Sequence, residues 1–148
     1  MRAAAAALAL LAAACGPPGD GPARREAPSA RKDAMGELDS AHPTLAVPVA
    51  AGEGGRFVVV EVAAVANPSL RPLAFDVAFR PPGGAARPLG LFSLYPADRP
   101  GRFIVAAQGQ VRPGGEILVT MRDESPDPGA QALKDVRVHI ATVALADR

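Results

Sequence analysis

The chain has 148 residues, a formal net charge of +1, one cysteine, two histidines and no tryptophan. That length suits one domain with a tail and is too short for two ordinary domains. Near-neutral charge leaves no basic stripe for nucleic acid, and one cysteine excludes an internal disulfide framework.

The N-terminal stretch reads as an export leader. Arg2 gives a short positive start, Ala3 to Ala14 form an apolar run of Ala and Leu, and small residues lead into Cys15. About twelve apolar residues fall short of the roughly twenty that span a membrane, so a cleaved leader is expected over residues 1–14. Leu11-Ala12-Ala13-Ala14-Cys15-Gly16 resembles the lipobox of bacterial lipoproteins, with one departure. Ala12 stands three residues before the cysteine, where that family usually carries Leu, Val or Ile. The resemblance implies that the Cys15 thiol receives a diacylglyceryl group and that Cys15 becomes the new N-terminus. Gly16 follows, not Asp, so the resemblance implies the cell envelope and its outer membrane. The alternative is a secreted or periplasmic chain in which Cys15 is incidental.

Residues 15–44 change character. Gly16-Pro17-Pro18-Gly19-Asp20-Gly21-Pro22 is turn material, and Arg24, Arg25, Arg31 and Lys32 are balanced by Asp20, Glu26, Asp33, Glu37 and Asp39. With almost no large apolar residue, such a segment cannot offset its ordering entropy, so a disordered tether is expected. A coil of that length reaches about 30 Å.

From Leu45 the apolar period is two. Leu73, Phe75, Val77 and Phe79 share one face of a strand, and Asp76 and Arg80 lie on the other. Arg56 to Val65 reads as a deeper strand through Val58, Val60 and Val62. Further strands are expected at Leu45 to Ala50, Leu89 to Tyr95, Arg102 to Ala107, Glu116 to Arg122 and Val136 to Leu145. Pro and Gly turns separate them, among them Asn67-Pro68-Ser69 and Pro81-Pro82-Gly83-Gly84. About seven such strands predict an all-β fold over residues 45–148, an antiparallel β-sandwich of immunoglobulin-like or cupredoxin-like type. Its expected core comprises Val58, Val60, Val62, Phe75, Val77, Phe79, Leu91, Phe103, Val105, Ile117, Val119, Val138 and Ile140. Ala130 to Lys134 would form at most one helical turn.

Residues that could carry chemistry are few. His139 alternates with Val138 and Ile140 and so faces away from them, beside Arg137, while His42 falls in the tether. Two histidines and an acylated cysteine cannot supply the three or four ligands of a zinc or copper site. Ser93 lacks a nucleophile elbow. No catalytic residue and no cofactor are therefore expected, and the chain is read as no enzyme. The remaining candidate for metal is the acidic loop Asp123-Glu124-Ser125-Pro126-Asp127, whose Asp123, Glu124 and Asp127 are the ligand type that holds calcium. Its spacing is not that of an EF-hand, and a solvated hairpin loop is the plainer reading. The turn around Tyr95 carries one tyrosine with Arg99 and Arg102, residue types enriched in interaction hot spots, and it is the expected interaction site.

The order Arg56 to Val65, Phe75-Asp76-Val77, Leu89-Gly90-Leu91-Phe92, Ile117-Leu118-Val119-Thr120-Met121, Val136-Arg137-Val138-His139-Ile140 is similar to the C-terminal β-sandwich of tyrosinases and polyphenol oxidases. In that family the domain caps the copper-bearing catalytic domain and does no chemistry. The resemblance implies an accessory domain here. The helical domain that bears copper ligands has no counterpart in this sequence, so no oxidase activity is carried over. The function expected from the sequence is a membrane-anchored module whose partner is another envelope protein or a small ligand, not nucleic acid; the alternative is a calcium-binding or enzymatic lipoprotein using residues 123–127.

Overall fold

The structure, a computed structural model, describes residues 35–127, 129 and 132–147. The expected leader, Cys15 and the expected tether up to residue 34 lie outside the described residues. Eight strands follow in order: β1 (Gly36–Leu38), β2 (Thr44–Pro48), β3 (Phe57–Ala66), β4 (Leu73–Arg80), β5 (Arg87–Ser93), β6 (Gly101–Ala106), β7 (Glu116–Asp123) and β8 (Arg137–Ala146). They form two antiparallel four-stranded sheets, β1-β8-β3-β6 and β2-β7-β4-β5, packed as a β-sandwich.

Period-two patterning produces the core directly. Val58, Val60 and Val62 of β3 face Phe75, Val77 and Phe79 of β4 across one continuous apolar interior, which also takes in Ile117 and Val119 of β7 and Val138 and Ile140 of β8. Three rings run through it from one sheet to the other. Phe75 stacks on Phe92 with centroids 4.9 Å apart, and Phe92 stacks on Phe103 of the opposite sheet at 4.4 Å.

The sequence expectation fails at Leu91, which is 55% exposed, whereas its neighbour Phe92 is buried. A bulge explains it. Val77 pairs with Gly90 but Ala78 pairs with Pro88, so Leu89 is the extra residue and the parity of β5 shifts. Leu89 and Phe92 then point inward, and Leu91 shares the outer face with Asp76, its cross-strand partner. Two similar irregularities in the β3–β8 pairing, at Ala63 and Ala141, let Val62 and Val65, and likewise Ile140 and Val143, lie on the same side.

An eighth strand also departs from expectation. β1 lies inside the stretch from which a tether is expected, so the sandwich starts before Leu45. Leu38 is fully buried, and Glu37 meets Arg137 and His139 of β8 at 3.1 Å each. Met35 and Leu38, three residues apart in a polar run, give no period-two signal. The next turn is ordered too. Asp39 Oδ1 accepts the amides of Ala41 and His42 at 2.8 and 2.6 Å, which places His42 in a tight β1–β2 turn.

The hairpin between β4 and β5 shows how local chemistry sets a turn. Gly84 N–H donates to Pro81 O at 3.1 Å, and Gly83 has φ of 65°. Pro82 followed by a left-handed Gly83 is the residue pair that a type II turn requires.

Candidate functional site

Because β1 runs antiparallel to β8 and β7 continues to Asp123, four connections gather at one end of the sandwich: residues 39–43, 67–72, 94–100 and 124–136. The loops at 49–56, 81–86 and 107–115 gather at the other. The first end carries both groups of residues that the sequence singles out, the Tyr95 turn and the acidic loop.

A single buried amide organises this end. Asn67 is 4% exposed, the one polar residue among those described that is buried backbone and side chain together. Its Nδ2 donates to Arg71 O at 2.9 Å and to Ala97 O at 3.0 Å, and its Oδ1 accepts the Arg71 amide at 3.1 Å. The β3–β4 loop is thereby closed on itself and tied to the loop that carries Tyr95. Leu94, buried just ahead of Tyr95, donates its amide to Leu73 O at 3.1 Å, and Arg99 N–H returns to Pro96 O at 3.1 Å. Tyr95 stands between these fixed points, 98% exposed. Arg99 is exposed in the same loop. Arg102 lies on the outer face of β6, opposite Glu61 of β3, so the structure brings Tyr95 and Arg99 into one loop and puts Arg102 on an adjoining strand.

The acidic loop is held by internal partners. Asp123 has only 3% of its side chain exposed and receives Arg71 Nη1 at 2.8 Å and the Ser125 amide at 2.7 Å. Burial alone would raise its carboxyl pKa, but the Ser125 hydroxyl and amide and the Arg71 guanidinium outweigh burial and hold it below the usual carboxylate range. Glu124 Oε2 accepts the Ser93 hydroxyl at 3.0 Å, while Arg122 spans Asp76 at 3.1 Å and Glu124 at 3.9 Å. Asp127 is exposed. Among the described residues no group of three or more His, Cys, Asp or Glu is close enough to hold a metal ion. Arg71 and Asn67 escaped sequence reasoning, because Asn67-Pro68-Ser69 signals only a turn and their partners lie far along the chain.

The Asp123 arrangement sets an acid dependence. Its folded pKa is depressed, so its contribution to stability is present above about pH 4 and is lost as pH falls through the folded value. Asp123→Asn is expected to flatten the acid limb of stability against pH, measured by urea unfolding between about pH 2 and 6. An unchanged limb in the variant would mean that the Arg71 pair contributes nothing.

His139 lies opposite Val138 and Ile140, on the outer face, with Nε2 3.1 Å from Glu37. It is a polar contact on the strand surface, with no other acid or metal-ligating group gathered around it among the described residues. Surface depressions of about 220, 320 and 290 Å³ occur at the other end, lined for instance by Val47, Glu53 and Leu145, by Pro82 and Glu116, and by Arg56 and Gln108. They stand at or below the bottom of the roughly 300–1,000 Å³ range of small-molecule sites.

Compared with known proteins, the chain matches no family, no curated protein and no solved structure.

Proposed function

We propose that the protein is a lipoprotein of the bacterial envelope, anchored through Cys15, whose sandwich is a binding or assembly module for another envelope protein. The observation that carries the module reading is Tyr95, almost fully exposed on a loop pinned from behind by Asn67, Leu94 and the Pro96–Arg99 turn. An aromatic ring held out on a rigid loop loses little conformational entropy on contact, which is why tyrosine and arginine recur in hot spots. A protein partner is favoured over a small ligand because the depressions lined by Val47, by Pro82 and by Arg56 are open and lie at the other end of the sandwich from Tyr95. The anchor rests on the leader and its lipobox-like run ending at Cys15. The likeness to an accessory domain of tyrosinases agrees with a module that does no chemistry.

The test is an intact mass of the protein taken from native membranes in mild detergent. A chain starting at Cys15 with a lipid adduct and a bound protein is expected. Tyr95→Ala should then weaken the bound protein's affinity by about thirty-fold, the size of a hot-spot loss of about 2 kcal/mol. A bare chain refutes the anchor, and a calcium adduct that is lost in Asp123→Asn replaces the module with the acidic loop.

A further inference from the structure

The four edge strands of the sandwich are not equally protected. β1 is three residues long and carries Glu37; β2 is framed by Pro43 and Pro48; β5 holds Pro88 and the Leu89 bulge. Short length, proline and bulges are the features that keep sheet edges from pairing. β6 has none of them. Gly101–Ala106 pairs regularly with β3 along its whole length, contains no proline or acid, and has no further strand on its outer side among the described residues. Ile104 at its centre is 58% exposed.

We infer that β6 pairs with β6 of a second copy of this chain, in antiparallel register centred on Ile104. A second copy offers the same regular, proline-free edge, and three features of the strand fit it in this register. A two-fold axis through Ile104, normal to the sheet, keeps the core face of both copies on one side, which an offset of one residue would not. It opposes Arg102 to Ala106 of the other copy and separates the two Arg102 side chains by four residues, about 14 Å, so the one charge of the strand never meets its equal. It opposes Phe103 to Val105 and thereby covers Phe103, the terminal ring of the aromatic stack, which is only half-buried in one copy. The outer face fits as well. The row Ala144–Val59–Ile104 is apolar, and across the axis it continues into its own copy as one strip. The paired strand follows the Tyr95 loop directly and includes Arg102.

The full chain carrying Ile104→Cys is expressed in cells and oxidised mildly, beside the same chain carrying Leu91→Cys, an equally exposed position on the protected edge β5. Directly opposed cysteines on antiparallel strands lie within disulfide reach. At least ten-fold more disulfide dimer is expected from Ile104→Cys, with peptide mapping assigning the bond to residue 104 of both chains and excluding Cys15. Ile104→Lys sets two like charges opposite each other, so sedimentation should show the dimer lost while the circular dichroism spectrum of the folded sandwich is retained. Equal cross-linking from both positions, a bond mapped elsewhere, or a wild-type chain that remains monomeric up to millimolar concentration would overturn the pairing.

Discussion

Phe75→Ala is expected to lower the stability of the sandwich by about 3–5 kcal/mol, a large part of the 5–15 kcal/mol that a domain of this size holds. Phe75 is fully buried at the centre of β4 and forms the first ring of the Phe75–Phe92–Phe103 stack. Its removal leaves a cavity between two sheets whose other core residues are mostly valines, too short to fill it. Thermal unfolding should show a midpoint lower by more than about 10 °C. Leu91→Ala supplies the contrast. An exposed Leu91 predicts a change within about 0.5 kcal/mol, whereas Phe92→Ala should approach the cost of Phe75→Ala. If Leu91→Ala proved the costlier of the two, the bulge at Leu89 would be misplaced.

That contrast marks where the sequence can be read and where it cannot. Alternation is uninterrupted in β7 and from Phe75 to Phe79 of β4, and in β3 Val58, Val60 and Val62 share the core face although Val59 between two of them is buried as well, so Val58, Val60, Phe75, Val77, Ile117 and Val119 sit where period two puts them. Alternation cannot report a bulge, because an inserted residue looks the same as a continued strand until its partner is known; hence Leu91 and Phe92 exchange roles. β1 illustrates a second limit. Three residues cannot establish a period, and Leu38 is buried in a core built from strands far along the chain, which no local pattern encodes. The candidate site divides in the same way. Tyr95 is legible as the one tyrosine in a proline-rich turn, but the support its loop takes from Asn67, which bonds Ala97 thirty residues on, and the Arg71–Asp123 pair, fifty-two residues apart, exist only in the folded chain.

Asn67→Ala tests whether that hidden support matters to the site. The substitution strips two carbonyls, Arg71 O and Ala97 O, and one amide, Arg71 N–H, of their partner at a position that is 4% exposed. Unpaired buried groups cost about 1–3 kcal/mol each, and water can satisfy some of them once the loop opens, so a net loss of about 2–4 kcal/mol is expected. Asn67→Asp should be worse than alanine despite its matching shape, because it turns a carboxylate oxygen toward two carbonyl oxygens that the amide nitrogen now serves. Hydrogen exchange separates the local effect from the global one. The amides of Arg71 and Arg99 should lose protection in Asn67→Ala more than the amides of β3 and β7 do, since the tie to Ala97 is the side-chain link that binds the Tyr95 loop to the β3–β4 loop. If the proposed partner binds through Tyr95, its affinity should fall in Asn67→Ala although Asn67 is buried beneath the surface that partner touches, because the ring must then be ordered at the moment of contact. Equal loss of protection across the sandwich would show instead that Asn67 stabilises the whole fold, and the Tyr95 loop would need some other source of rigidity.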